Sequence, residues 1–372
     1  MDETGKYDPR QTRIELIYEG ADISKDIAPF LLSFNYDDKS SGESDDLQIT
    51  LEDRDGLWRD PWYPSKGERI TASIITANWK NPGEHLSLYC GSFEIDEVEI
   101  SEPPMTVNIK AVSAPRSTSM RGETKSRNWD GYKLSGIAND VAHSAGMNLE
   151  YLASSNPLYD TRSQASISDM KFLMKLCTDA GLALKVTDSK IVIFDEAEFE
   201  GMDPVMVLAR GDGRIVSMNI KTKMAGTYKA AEVQYSDTEA DETHFGVYAE
   251  DGIEESEQVL RINQRVKSRK EADELAQSKL HEANKNETTG SFNLQGELGL
   301  AAGSNIEIIG WGKFDGIYFI ESAKHSYGGS GYTTSISIRE GGPSKKKKKE
   351  KKKSGGTPAG GKVASEEFPV YQ

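Results

Sequence analysis

Along both ends of this chain, apolar side chains fall on every second position and the runs stop within a few residues. Ile14, Leu16 and Tyr18 alternate before a Glu19-Gly20-Ala21-Asp22 turn, and Phe30 to Tyr36 forms a second run. The pattern returns at Leu47, Ile49 and Leu51, at Ile70, Ala72 and Ile74, from Leu86 to Val98, and at Val107, Ile109 and Ala111. Neighbouring side chains of a strand point to opposite faces, so this spacing sets one face of a sheet on a core and the other in water. Short runs punctuated by Gly, Asp and Pro predict a small barrel or sandwich over residues 13–112. The longest unbroken apolar run, Val205 to Ala209, is five residues, and Ile191 to Phe194 is four, against ~20 for a membrane helix. The first apolar residues are too few for a signal peptide. The expectation is a protein folded in the cytoplasm with no membrane anchor.

After Pro115 the period changes. Leu134, Ile137, Ala138, Val141 and Ala142 recur at helical spacing within Asp130 to His143, closing at Gly146. A second helix follows Ser166, paired with Asp169 as a capping box, and stops at Gly181. A hairpin, Leu182 to Val186 and Ile191 to Phe194, completes a mixed α and β insert. Strands resume at Val205 and continue to Ile338, interrupted by one helix with the capping box Ser268-x-x-Glu271. Residues 37–46, DDKSSGESDD, lack any large apolar side chain and read as an acidic loop. The expected organisation is an N-terminal barrel over 1–113, an α+β insert over 114–204, and a second barrel over 205–341 with a helical excursion at about 241–285. A Lys- and Gly-rich tail follows over 342–372. The fold class is mainly β, two β-barrels flanking a mixed α/β insert. A faint internal repeat supports the pairing: Lys66 to Ile74 resembles Ala302 to Ile309, and Phe93-Glu94-Ile95-Asp96 resembles Phe319-Ile320-Glu321.

Composition narrows the function. Counted with Gly and without Tyr, about 41% of the 372 residues are apolar, against ~45–50% in a typical globular chain, so much strand surface is wetted. The nine lysines and three glutamates after Pro343 are net +6, which against a formal total of −15 leaves −21 for residues 1–343. A body that acidic repels nucleic acid. Cys90 and Cys177 sit in apolar contexts and read as reduced, buried thiols. The five histidines are dispersed, His281-Glu282 lacks a second His four residues on, and Gly211-Asp212-Gly213 opens a strand and not a phosphate-binding helix. Asp53-Arg54-Asp55-Gly56 has the start of a calcium loop without its later ligands and reads as a polar turn. The expectation is no enzyme, no catalytic residue, no metal and no cofactor.

Two features fit interfaces. Trp58, Trp62 and Tyr63, with Pro61 and Pro64, form the densest aromatic cluster; such a group packs a barrel corner or anchors a partner. The tail offers Lys345, Lys346, Lys347, Lys348 and Lys349 to an acidic surface, and Phe368 and Tyr371, near Val370, as a short docking cluster.

The stretches without chemistry carry a family resemblance. LQITLEDRDGLWRDPWYPSKGERI (47–70), DTRSQASISDMKFLMKLCTDAGLALKVTDSKIVIFD (160–194), and the segment 268–339 from SRKEADELAQSKL to the end of GYTTSISIRE resemble the phage late control D family of baseplate hub proteins. Together they span roughly residues 10–340 in the family's order. The resemblance implies a hub of contractile tails: phage tails, tail-like bacteriocins, or the spike of type VI secretion. It implies a homotrimer whose two tube-like barrels per chain form a six-barrel ring. That ring joins a hexameric tail tube, or its initiator protein, to a trimeric spike among other baseplate proteins, with DNA passing through the lumen without being bound. Family members often carry a further C-terminal domain, where this chain has its lysine-rich tail. The alternatives are a cell-wall hydrolase with a carboxylate pair in 116–200, and a carbohydrate-binding component of the tail tip using Trp58 and Trp62.

Overall fold

The computed structural model describes residues 9–341 except 114–119, 121, 188, 225, 238–241, 250–257, 265 and 267. Lys345 to Lys349, Phe368 and Tyr371 lie outside the described residues.

The first strands are β1 (Gln11–Tyr18), β2 (Ala21–Asp22), β3 (Leu31–Lys39), β4 (Asp46–Glu52), β5 (Arg69–Ala77), β6 (His85–Ser101) and β7 (Thr106–Val112), with a one-turn helix α1 (Ser24–Ile27) between β2 and β3. Their alternation is realised as read. Phe34 and Tyr36 of β3, Leu47, Ile49 and Leu51 of β4, and Ile70, Ala72 and Ile74 of β5 share one core. Burying a side chain such as Phe34 or Leu51 contributes about 1.5–3 kcal/mol.

The insert holds β8 (Thr124–Lys133), α2 (Leu134–Ser144), β9 (Asn148–Tyr151), β10 (Leu158–Ser168), α3 (Asp169–Asp179), β11 (Ala183–Val186), β12 (Lys190–Phe194) and α4 (Glu196–Glu200). Helix α2 begins at Leu134 and not at Asp130, because residues 124–133 pair with β10 as a strand. The cap of α3 also moves by two residues. Ser168 is the N-cap and accepts from Lys171 N at 3.4 Å, while Ser166 sits in a bulge of β10 at φ +51°, a conformation incompatible with capping the next turn. Asp169 is buried and bridged by Lys125 at 2.7 Å and by Arg127. Trp129 stacks on Phe172 within this second core.

The remaining elements are β13 (Met206–Ala209), β14 (Ile215–Thr222), β15 (Ala230–Asp237), β16 (Glu242–Ala249), β17 (Val259–Ile262), α5 (Arg269–Asn284), β18 (Thr288–Gln295), β19 (Asn305–Ile309), β20 (Gly316–Gly328) and β21 (Gly331–Glu340). Strands β15–β17 form a small sheet on which α5 lies through Ala272, Ala276 and Leu280. Ser268 caps α5 by accepting from Glu271 N at 3.2 Å, as its sequence spacing indicates.

The protein is mainly β with a mixed insert, but its barrels are not closed. Strands from both ends belong to one 13-stranded sheet in the order β14-β18-β21-β20-β3-β4-β7-β6-β5-β1-β2, with β13 and β19 branching from β20. The reason lies in the long strands. β6 bonds β5 along residues 85–94 and β7 along 94–101, changing partner at a bulge between Ile95 and Glu97. A strand that changes partner at a bulge folds its sheet over a core without bringing the end strands together.

This arrangement occurs twice. The order β3-β4-β7-β6-β5-β1 is matched by β14-β18-β21-β20-β19-β13, although β1 runs antiparallel to β5 while β13 runs parallel to β19. The bulge of β6 recurs in β20 between Ile320 and Ser322. Gly67 and Gly303 occupy the same turn at φ +84° and +86°; Gly67 N donates to Ile95 O at 2.8 Å and Gly303 N to Ile320 O at 2.9 Å. The two repeats meet where β20 pairs antiparallel with β3.

Candidate functional site

The candidate functional surfaces are those the fold presents and the joints that hold them. The first is the wet face of the long sheet. On β3, β4 and β7 the residues alternating with the core are Asn35, Gln48, Thr50 and Asn108; on β18, β20 and β21 they include Asn293, Ser326 and Ser335. They bond one another across strands: Ser326 Oγ to Asn35 Oδ1 at 2.8 Å, Gln48 Nε2 to Asn108 Oδ1 at 3.1 Å, and Ser335 Oγ to Asn293 Oδ1 at 3.2 Å. Lys39 pairs with Asp37 at 2.8 Å, and Lys110 with Glu97 at 3.1 Å. The result is a broad surface of short amides and hydroxyls on which Lys39 and Lys110 are matched by carboxylates.

The second feature is a joint among all three parts of the fold, built on the segment 37–46. Although acidic, this segment has Asp38, Ser40, Ser44 and Asp45 buried. Lys185 of β11 donates to Asp38 Oδ1 at 2.6 Å and to Lys39 O at 2.8 Å, and lies 3.4 Å from Asp45. Asp38 Oδ2 accepts from Ala302 N of the second repeat at 2.8 Å. Burial pushes the Asp45 carboxyl up to about 6, opposed by the Lys185 cation. Burial alone would depress Lys185, but Asp38 and Asp45 outweigh it and hold the ammonium above its ordinary value.

A third cluster surrounds Arg339 of β21, which is 1% exposed. Its Nη2 lies 2.5 Å from Glu200 and 3.1 Å from Glu196, both on α4, and its Nε 3.3 Å from Glu321. His281 of α5 contacts Glu200 at 3.3 Å, and Lys285 contacts Glu196 at 3.5 Å. Burial would raise Glu200, yet His281 and Arg339 hold it below the usual carboxylate range. The hydrogen bond to Glu200 raises His281 despite its burial. These charges fasten the insert and α5 to the second repeat.

Of the aromatic cluster, Trp58 is 7% exposed and belongs to the first core, with Phe30 at 6.0 Å and Trp62 at 5.4 Å, both edge-on. Asp53 Oδ1 accepts from Trp58 N at 2.9 Å, so the DRDG turn is a buried brace for this loop. Trp62 and Tyr63 are 46% and 43% exposed beside it. His325 is a core residue: Nε2 donates to Leu300 O at 3.1 Å, Nδ1 accepts from Tyr332 OH at 2.7 Å, and burial lowers its pKa. Cys90 and Cys177 are buried and unbridged, burial raising Cys177 to about 12. Among the described residues no group of three or more His, Cys, Asp or Glu is placed to hold a metal, and no helix is long and apolar enough to cross a membrane. Asp38, Asp45 and Arg339 were not legible as joint residues, since their partners are remote in sequence.

No family model matches the chain. Over 207 residues it is 28% identical to a probable baseplate hub protein of Escherichia phage P2; the match covers 53% of this chain and 50% of that protein. The chain thus spans about half the length of the curated relative it matches. Among solved structures it is similar to the 43 kDa tail protein of prophage MuSo2 from Shewanella oneidensis, with a TM-score of 0.67 at 14% identity over 88% of this chain and 98% of that one. It is also similar to a tail protein from Neisseria meningitidis MC58, with a TM-score of 0.66 at 12% identity, covering 88% and 96%. An Escherichia coli component of the type VI secretion system gives 0.51 at 10% identity, covering 83% and 73%. At those identities the structural likeness is one of fold. Fold and sequence together make the chain similar to the baseplate hub family.

Proposed function

We propose that this protein is a structural hub in the baseplate of a contractile tail, a trimeric adaptor between a hexameric tube and a trimeric spike. The observation that carries this reading is the duplicated strand order. Two near-equivalent repeats per chain let three copies offer six similar units to a sixfold tube, while the insert, present once per chain, leaves threefold features for a spike. The phage P2 relative is named a probable baseplate hub protein, and the similar structures include two tail proteins. The amide and hydroxyl face of the long sheet suits a pore lining: cations that would neutralise phosphates are what make a surface bind nucleic acid, and here Lys39 and Lys110 are already matched by Asp37 and Glu97. Trp62 and Tyr63 lie at an exposed corner suited to a neighbouring baseplate protein. The lysine tail is proposed as a further contact to an acidic partner.

Solution mass tests the adaptor. Light scattering on the purified full chain should give three times the 41.0 kDa chain mass. A six-copy ring, or a monomer at every concentration, contradicts the reading.

A further inference from the structure

The joint between the two repeats of one chain specifies how two copies join, down to the residue pairs. Within the chain, β20 pairs with β3 as Ser322–Lys39, Ala323–Asp38, Lys324–Asp37, His325–Tyr36 and Ser326–Asn35. Both strands have counterparts in the other repeat, and bulges fix the alignment without choice. The bulge between Leu31 and Ser33, where β3 meets β4, recurs between Ile215 and Ser217, where β14 meets β18. The bulge between Ile320 and Ser322 of β20 recurs between Ile95 and Glu97 of β6. Hence Asn35, Tyr36, Asp37, Asp38 and Lys39 correspond to Asn219, Ile220, Lys221, Thr222 and Lys223. Likewise Ser322 to Ser326 correspond to Glu97 to Ser101.

Among the described residues, β14 pairs only with β18, and residues 97–101 of β6 pair only with β7. Each strand therefore has an open edge at the place where its counterpart is joined. The two open edges stand at opposite ends of eight consecutive strands, β14 to β6. We propose that β14 of one copy pairs with the β6 edge of the next in the register of the internal joint: Glu97–Lys223, Val98–Thr222, Glu99–Lys221, Ile100–Ile220 and Ser101–Asn219. This rests on the hub reading and names the surface through which its copies meet.

The transposed register is a demanding test, because nothing in its construction used side-chain chemistry. It nevertheless sets two glutamates opposite two lysines, all exposed in the isolated chain. Opposite charges directly across a strand pair are favourable and like charges are not. It also covers Ile100, 48% exposed, with Ile220. In the internal joint that position is held by His325 and Tyr36, whose rings stack at 6.0 Å. A slip of one residue would turn the isoleucines away from each other's face and oppose both glutamates to uncharged positions. Open edges bearing charges resist pairing with the wrong strand, and a head-to-tail contact of two different edges closes into a ring when the rotation permits.

Cysteine pairing in the full-length protein reads the register. With Glu99→Cys and Lys221→Cys in one chain, oxidation should give covalent links between copies, and Glu99→Cys with Thr222→Cys should not. The native cysteines are buried and add no background. In a second arm, Glu99→Lys should weaken association by about tenfold, and adding Lys221→Glu should restore it; both positions are exposed, and circular dichroism checks that the variants stay folded. An oligomer that forms normally but fails to cross-link at 99–221, or ignores the charge swap, overturns the proposed joint while leaving the hub intact. A monomer at every concentration overturns both.

Discussion

Replacing Arg339 by Met is expected to lower the stability of the second repeat and its contact with the insert by about 3–5 kcal/mol, the cost of leaving a buried ion without its partner. Met fills much of the volume, so the loss is electrostatic. Arg339 and Glu200 are each 1% exposed in their side chains and 2.5 Å apart, with Glu196 at 3.1 Å. Without the guanidinium, Glu200 is left buried beside Glu196, with His281 and Lys285 still close to them. The double variant Arg339→Met with Glu200→Gln removes the stranded charge and should recover part of the loss. Urea unfolding of the three proteins checks this; an Arg339→Met variant within 1 kcal/mol of the parent, on the order of a surface change, would contradict it.

Lys185→Met comes second, with an expected loss of about 3 kcal/mol at neutral pH, near the lower end for a buried pair because the lysine side chain is 22% exposed. Its effect has a pH signature. Asp45 already has a folded value of about 6, above the ordinary 3.8, through burial. A carboxyl raised in the folded state binds its proton more tightly there, so its contribution is fully present below pH 3.8 and lost as pH rises through about 6. Removing Lys185 takes away the cation that opposes this rise. The deficit of Lys185→Met should therefore be largest at pH 7–8 and shrink towards pH 4–5. Thermal unfolding from pH 4 to 8 measures it, and a deficit that grows on acidification would contradict the assigned contacts.

These two residues also mark where sequence reasoning stops. Local signals were legible: the alternation of Leu47, Ile49 and Leu51, the Ser268 cap of α5, and the glycine stop at Gly181 depend on neighbours within a few residues. The acidic segment 37–46 misleads because polarity reports only that a group needs partners, not whether water supplies them. Here Lys185 and Ala302 supply them, from positions 147 and 264 residues away from Asp38. Arg339 ends a strand as any surface arginine does, and only the packing of α4 over it makes it a core charge. The resemblance between Lys66 to Ile74 and Ala302 to Ile309 was visible but weak. Its strength lies in backbone features a sequence does not print, the shared bulges and the paired glycine turns. That the sheets stay open was not legible for a related reason: alternation gives the faces of strands but not where a long strand such as β6 changes partner.

On the proposed reading, two copies of one strand arrangement in each chain continue, chain to chain, into a ring. Cryo-electron microscopy of the assembled particle at strand-separating resolution tests it most directly. The expected image is a pore lined by a continuous sheet in which the repeats of residues 10–113 and 205–340 alternate around three chains. Six chains in that layer, or a chain whose two repeats face each other with no pore between copies, would contradict it.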